Sequence, residues 1–168
     1  MREIPQLVAP VQVGSRDTLP SFHYQPPATA GETPAPRVVG FMARDYGAAT
    51  PGRLISSAKS WLCHGGVDRT ADLLPWHAAS DVERISPVEA SSRYLAHIRG
   101  AWNLRFKSEP LERQDVVLTL PASFDEIARE LTVEAAARAG LHKGGLVGGP
   151  QAASETWLYK HKHNRATV

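Results

Sequence analysis

A continuous apolar segment that runs into a proline constrains the fold of this chain more than any other feature. Within Asp115–Gly140, the residues Val116–Leu120 are apolar except for Thr119. A run of that length predicts a strand buried on both faces of an α/β sheet. Pro121 has no N–H to donate to a neighbouring strand, so we expect the strand to end there.

A helix is predicted directly after this strand. Ser123 and Glu126 have the spacing of a capping box, in which each side chain bonds to a free backbone N–H of the first turn. Gly140 can adopt the left-handed conformation that ends a helix, and Leu141 is the apolar residue that follows it. Residues four apart form one apolar stripe: Ile127, Leu131 and Ala135. The segment therefore predicts a strand, a turn and a helix in succession.

Composition limits the classes of protein to which the chain can belong. Its 168 residues suffice for one domain, and a formal net charge of +2 requires neither a nucleic-acid nor a membrane partner. Cys63 is the one cysteine, which excludes an internal disulfide and favours a reducing compartment. No apolar run approaches the ~20 residues of a membrane span, and Met1–Pro5 begins no hydrophobic signal segment. We therefore expect a cytoplasmic protein.

The first third of the chain predicts short elements separated by a loop. Ile4–Val13 is expected to form a strand pair or one bent strand, and Ser21–Tyr24 a further strand. Pro26–Pro36 is loop-like in composition. A short helix is expected within Val38–Gly47, with one face formed by Phe41, Met42 and Tyr46.

A second helix is predicted to start at Pro51, which suits a first helical turn. Its apolar residues would be Leu54, Ile55, Ala58, Trp61 and Leu62. Residues 68–82 are expected to form a loop in which Leu73–Trp76 turns inward.

The clearest helix signal begins at Ser86. This serine is an N-cap candidate, Pro87 occupies the first helical position, and Glu89 completes a capping box. We expect the helix to reach about Phe106, with one stripe formed by Ser91, Leu95, Ile98 and Trp102.

The last third adds a second strand to the predicted sheet. Leu146–Val147 is expected to be that strand, followed by a turn at Gly148–Pro150 and a helix over Gln151–Tyr159. A strand, helix and strand in this order favour a right-handed parallel crossover. The fold class is therefore α/β and partly parallel, with a helix-and-loop region before Ser86. Residues 160–168 are basic and are expected to form a disordered, solvated tail.

One short motif is compatible with nucleophilic catalysis. Ser56 and Lys59 match the S-x-x-K spacing of serine acyl enzymes, in which the lysine acts on the serine hydroxyl one helical turn away. The companion K-T-G motif is absent, because Lys143 is followed by two glycines. Chance is the simpler explanation, since two residue types at a fixed spacing recur often.

Two further patterns point more to structure than to chemistry. Gly144–Pro150 is glycine-rich but lacks the G-K-[ST] ending of a phosphate loop, so turn formation explains it better. No zinc spacing relates Cys63 to the scattered histidines, so we expect no bound metal. Those histidines are His64, His77, His97, His142, His161 and His163.

Lys59 carries more chemical interest than these patterns. A lysine on an otherwise apolar helix is usually a surface residue whose stem packs along its neighbours. If it points into a cleft, its ammonium is a point charge suited to a phosphate or to an attacking water.

A predicted strand ends in L-P-A-S-F at Phe124, and the helix after it ends in A-G-L at Leu141. Val116–Phe124 and Ala139–Leu141 thereby resemble the heat-shock protein 70 family, the DnaK-like chaperones, whose strand ends in V-P-A-x-F and whose helix ends in A-G-L. Weaker likenesses lie upstream and downstream: Leu19-Pro-Ser21, Val39-Gly40 with Ala43, Ala58-Lys59 with Trp61-Leu62, and Pro150–Ala153. Each is short, but together they are collinear across nearly the whole chain.

This resemblance implies a partial actin-like ATPase (ribonuclease H-like) lobe I. Residues 1–19 and 86–168 would form its core subdomain, and residues 20–85 the inserted subdomain. Lys59 would match the lysine that lies near the γ-phosphate and orients the attacking water. Pro121 and Arg129 would match a relay that reports the nucleotide state to the peptide-binding domain.

The chain also departs from the family pattern. It contains neither the D-L-G-T-T-x-S hairpin that wraps the phosphates nor the second phosphate loop, and Gly149 occupies the position of a glutamate that contacts the site. We therefore expect a truncated or split member of the family that, on its own, neither binds nor hydrolyses ATP. The full-length family uses ATP and Mg²⁺ and serves unfolded client proteins with co-chaperones. An interaction module without nucleotide chemistry is the alternative.

Overall fold

The computed structural model describes residues 3–9, 11–27, 37–149, 151–152 and 154. Most of the predicted loop before Arg37, most of the predicted last helix, and the basic tail lie outside the described residues. Within them the fold is mixed α/β with small sheets. The strands are β1 (Ile4–Ala9), β2 (Gln12–Arg16), β3 (Phe22–Tyr24), β4 (Val38–Val39), β5 (Leu54–Ser56), β6 (Val116–Leu120) and β7 (Gly144–Gly148). The helices are α1 (Phe41–Gly47), α2 (Ala58–Trp61), α3 (Pro87–Arg105) and α4 (Glu126–Arg138).

Three separate sheets are formed by the described strands. β1 and β2 make an antiparallel hairpin, which is the strand pair expected at the start of the chain. β3 lies between β4 and β5 and is antiparallel to both. β6 and β7 are parallel, with Val116 opposite Gly144 and Leu120 opposite Gly148. The predicted parallel pairing across α4 is therefore confirmed.

Helix α3 is the element around which the core is assembled. One apolar cluster joins it to α2, β6 and α4: Leu62, Val88, Leu120, Phe124, Ala128, Leu131 and Ala135. A second joins it to β5 and the preceding loop: Ile55, Ala58, Leu74, Ile85 and Ala90. A third centres on Leu111, Ala136 and Leu141, against which Leu95, Ile98 and Trp102 of α3 pack. The helix is central because it contributes residues to all three clusters.

The structure confirms Ser86 as the N-cap of α3 and Pro87 as its first residue, but the predicted capping box is only half formed. The Ser86 hydroxyl accepts a hydrogen bond of 3.1 Å from the backbone N–H of Glu89. The Glu89 carboxylate, however, accepts a bond of 2.6 Å from Nε of Arg93, so it is engaged along the helix instead. Arg93 in turn lies 3.2 Å from Nε2 of the buried His23 on β3.

The β6–α4 segment has the predicted order but differs in three details. Val117 is 59% exposed and burial alternates along β6, so the described residues cover one face of the strand and leave the face of Val117 open. Asp125 rather than Ser123 caps α4, since its extended backbone brings its carboxylate to the N–H of Ala128 at 2.8 Å. Ile127 is 56% exposed, and the buried stripe runs instead through Ala128, Leu131, Thr132, Ala135 and Ala136.

The helix predicted from Pro51 is wrong. Pro51 starts a single 3₁₀ turn, Leu54–Ser56 pairs with β3, and only Ala58–Trp61 is helical. Ser57 separates the strand from the helix with a left-handed backbone (φ 57°). The apolar residues chosen for one helical face thus serve two elements, because hydrogen bonding to β3 outweighs local helical preference.

Other expectations for the first half hold in part. α1 forms within Val38–Gly47, but it buries Met42, Ala43 and Gly47, while Tyr46 is 43% exposed. In the loop before α3, Leu74 is buried and pairs with Ile85 through a β-bridge. No helix among the described residues is long and apolar enough to cross a membrane. The proposed division at residues 20 and 86 stays a prediction.

Candidate functional site

Lys59 lies beside the turn that follows β6. Its helix, α2, packs on α3, and Leu62 shares a core cluster with Leu120 and Phe124. The Lys59 Nζ is 5.8 Å from the centre of the Phe124 ring, and the residue is exposed. The lysine therefore carries its charge at the surface, next to an aromatic face, as a cation available to an anionic group.

A cavity of about 160 Å³ opens beside this lysine. Its apolar walls are Leu62, Leu95, Leu118, Leu120 and Phe124, and polar groups come from Ser21, Lys59, Ser91, Tyr94, Thr119 and Thr132. The Tyr94 hydroxyl is buried without a hydrogen-bond partner among the described residues. Burial raises the pKa of that hydroxyl, so it is neutral and can donate. Sequence reasoning did not find Tyr94, because its position in α3 indicates only packing.

The other two candidate residues flank the same turn without contacting Lys59. Pro121 follows β6, and its carbonyl accepts a bond of 3.2 Å from the N–H of Phe124. Arg129 lies one turn into α4 and is half-buried. Within the described residues, no hydrogen bond or ion pair joins Lys59, Pro121 and Arg129 to one another. The three residues therefore lie in one region of the structure without such a bond between them.

Gly149 is placed at the same end of the parallel pair. A β-carbon at this position would lie 3.3 Å from the carbonyl oxygen of Leu120, which precedes Pro121. Residue 149 therefore adjoins the turn after β6. In this chain the position contributes no carboxylate there.

An ion pair that the sequence did not predict lies at the start of α4, next to this turn. Both terminal nitrogens of Arg69 donate to Asp125, each at 2.8 Å, and the carboxylate also caps α4. These bonds lower the pKa of Asp125 to about 2, with the Arg69 contact as the largest cause. Asp125 could have been recognised as an N-cap from its residue type and position. Nothing in the sequence indicated its partner, 56 positions away.

The structure argues against the alternative chemistries. Ser56 ends β5 and Lys59 belongs to α2, so the pair does not share a helical turn, as S-x-x-K chemistry requires. Gly144–Gly148 forms strand β7 rather than a loop that could wrap a phosphate. Across residues 3–9, 11–27, 37–149, 151–152 and 154, no group of three or more potential ligands could hold a metal. Cys63 is partly exposed, and the pKa of its thiol is raised, mainly by burial. A raised pKa disfavours the thiolate, which is the reactive form of cysteine.

The cavity beside Lys59 is small. Its volume of about 160 Å³ falls below the ~300 Å³ at which small-molecule pockets begin. Backbone N–H groups arranged as a phosphate cradle are lacking at β7, where the glycines pair with β6.

Comparison with curated proteins indicates the kind of protein to which this chain is related. It is 31% identical over 159 residues to chaperone protein HscA of Salmonella paratyphi C, an alignment that covers 88% of this chain and 26% of the relative. HscA of Salmonella newport and of Salmonella heidelberg match with the same identity and coverage. The chain is homologous to HscA. It spans about a quarter of the length of these relatives. No protein-family model matches it.

Proposed function

We propose that this chain forms part of the ATPase domain of a chaperone of the heat-shock protein 70 family. The observation that carries the proposal is the in-register parallel pair of β6 and β7, connected through α4, with Lys59 beside the turn after β6. The homology to HscA supports the same conclusion. Under it, the described fold corresponds to part of an actin-like lobe I, and the protein acts in the cytoplasm.

In this proposal Lys59 serves the phosphate group of bound ATP. A solvent-facing ammonium beside an apolar ring can place positive charge where phosphoryl transfer develops negative charge. Pro121 and Arg129 flank the turn that ends β6, so a change at Lys59 can reach α4 through that turn. Their proposed role is to relay nucleotide state toward the part of the chaperone that binds unfolded clients.

These 168 residues alone are proposed neither to bind ATP tightly nor to hydrolyse it. The small cavity and the glycine at position 149 both support this, since Mg²⁺ and the phosphates would have few ligands. Isothermal titration of the purified chain with Mg-ATP, together with a phosphate-release assay, tests it directly. Micromolar binding accompanied by turnover would contradict the claim.

The family assignment is tested by a chimera. The segment of Salmonella HscA that aligns with this chain is replaced by it, and Mg-ATP binding is measured by calorimetry. We expect the chimera to bind Mg-ATP, and Lys59→Ala to weaken binding by about tenfold or more, because a hydrogen bond to a charged group contributes about 1.5 kcal/mol or more. Lys107→Ala, at an exposed turn after α3, is the matched control. If the folded chimera binds Mg-ATP with the same affinity before and after Lys59→Ala, the proposed role of Lys59 is wrong.

One observation favours a second candidate, an interaction module that uses the same lobe without nucleotide. Among the described strands, β6 has a partner on one edge only, and Val117 is 59% exposed. An open strand edge can accept an extended segment of another polypeptide through backbone hydrogen bonds. Sedimentation of the chain over a range of concentrations, with Val117→Lys as comparison, would reveal self-association through this edge.

A further inference from the structure

The Arg69 side chain connects two parts of the chain that are distant in sequence. Its terminal nitrogens donate to the two carboxylate oxygens of Asp125, and its Nε lies 3.3 Å from the carbonyl oxygen of His64. The side chain is only 10% exposed, whereas that of Asp125 is 48% exposed. The guanidinium is thus fixed in plane by three acceptors, an arrangement that a lysine could not reproduce.

Asp125 is fixed as firmly on its own side. Its Oδ1 accepts the N–H of Ala128 at 2.8 Å, which makes it the N-cap of α4. The carboxylate is therefore anchored to the first turn of a helix before Arg69 reaches it. Because Asp125 is fixed to α4, its two bonds to Arg69 fix the Arg69 side chain relative to that helix.

The Arg69–Asp125 ion pair, referred to below as the bridge, completes a closed circuit of contacts that includes Lys59. From Lys59 the chain continues through α2 to His64 and Arg69, and Arg69 reaches Asp125. Phe124 is the residue before Asp125, and its ring lies 5.8 Å from the Lys59 Nζ. The side chain of Phe124 also packs in the same core cluster as Leu62, the residue that follows α2. Opening the bridge would therefore free α2 to move relative to the turn after β6.

We propose that Arg69 is a positioning residue that holds Lys59 against the turn between β6 and α4. The inference rests on the proposed function, because it assigns Arg69 to the lysine of that site. Arg69 itself does not touch a substrate in this arrangement. Its effect passes through His64 to α2 on one side and through Asp125 to α4 on the other.

Hydrogen–deuterium exchange of the full chain tests the proposal without nucleotide. In Arg69→Gln we expect amide exchange to accelerate at least about tenfold both at residues 58–66 and at residues 124–128. Arg69→Lys should behave like Arg69→Gln, since a point charge cannot replace the planar pair of bonds. Arg44→Gln is the matched control, because Arg44 pairs with the adjacent Asp45 and links no distant segments through that bond.

Asp125→Asn separates the bridge from the helix cap. Asparagine caps helices about as well as aspartate, so α4 should stay protected, while residues 58–66 exchange faster as in Arg69→Gln. If Arg69→Gln fails to fold, this variant alone decides. Faster exchange confined to residues 67–72, or an Asp125→Asn chain that exchanges like the wild type, would overturn the proposal.

Failure of the proposed function would look different. If the bridge holds α2 but the HscA chimera binds Mg-ATP equally well before and after Lys59→Ala, the ligand assignment fails and the positioning contact stands. If Lys59→Ala weakens Mg-ATP binding by the chimera but Arg69→Gln leaves amide exchange unchanged, the positioning role of Arg69 is wrong and the nucleotide assignment stands.

Discussion

A β-carbon on Gly144 would collide with the carbonyl oxygen of Val116, its partner in the parallel pair. Gly144 also has φ of +137°, a conformation that residues with side chains rarely adopt. The pair Val116–Gly144 is the first of the register that continues to Leu120 and Gly148. Glycine at this position therefore permits the close approach with which the pairing of β6 and β7 begins.

Gly144→Ala should destabilise the fold by about 2 kcal/mol or more, since the new methyl group forces the two strands apart. Gly145→Ala is the matched control, because no atom lies within 4 Å of a β-carbon there. Urea unfolding followed by circular dichroism measures both. Equal stability of the two variants would mean that β7 does not pair as described.

Ser86→Ala should cost about 1 kcal/mol, the usual effect of removing a serine N-cap. The hydroxyl accepts the Glu89 N–H at 3.1 Å and is buried, so water cannot replace it easily. Ser108→Ala, at an exposed turn, should change the free energy of unfolding little. Urea unfolding of both variants decides, and a loss below about 0.3 kcal/mol for Ser86→Ala would show that this cap does not limit α3.

Acid should destabilise the chain through His23 before the carboxylates titrate. Burial, with Arg93 and Arg37 nearby, lowers the pKa of His23 from 6.5 to about 3 in the folded state. As pH falls below 6.5, the unfolded chain takes up a proton that the folded chain refuses, so this contribution to stability is present above pH 6.5 and declines toward pH 3. Between about pH 6.5 and about pH 5 the expected loss is about 1.5 kcal/mol.

The measurement for His23 is urea unfolding in steps of about half a pH unit from about pH 7 to about pH 5, the range in which an unperturbed histidine titrates. His23→Gln keeps a polar group facing Arg93 but cannot titrate, so its stability should vary less over this range. The difference between the two proteins isolates His23 from the other histidines. A wild-type curve parallel to that of His23→Gln would show that the buried ring does not resist protonation.

Tyr94→Phe should leave stability unchanged or raise it by up to about 1 kcal/mol. The Tyr94 hydroxyl is buried with no partner among the described residues, and an unsatisfied buried group costs free energy. Tyr46→Phe, at a side chain that is 43% exposed, is the control and should have no effect. A thermal unfolding scan of both suffices, and marked destabilisation by Tyr94→Phe would indicate that the hydroxyl has a partner in solution.

Signals confined to a few neighbouring residues predicted local structure correctly. Pro121 ends β6, Ser86 caps α3, and Gly140 ends α4 with φ of +81°. Each depends on a missing donor, a short side chain or the absence of a β-carbon, which are properties of the residue itself. Where two residue types compete locally, as Ser123 and Asp125 do, the choice depended on the turn geometry.

Two predictions that depended on what packs or pairs with a segment were wrong. The apolar residues after Pro51 resemble one helix, but Leu54–Ser56 became a strand because β3 offered it hydrogen bonds. The apolar content of β6 suggested burial on both faces, yet the described neighbours cover one side and leave Val117 exposed. The pattern reports how apolar a segment is, whereas burial depends on what packs against it.

The sequence by itself determined the order of elements from α3 to β7, because caps, prolines and glycines act over one turn of chain. It also carried the resemblance that drew attention to Lys59, Pro121 and Arg129. Only the tertiary structure decided that Arg69 binds Asp125, 56 positions away, and that Lys59 lies over the Phe124 ring. Such contacts arise when segments distant in sequence pack on a shared core, and no local preference of the residues involved encodes the partner.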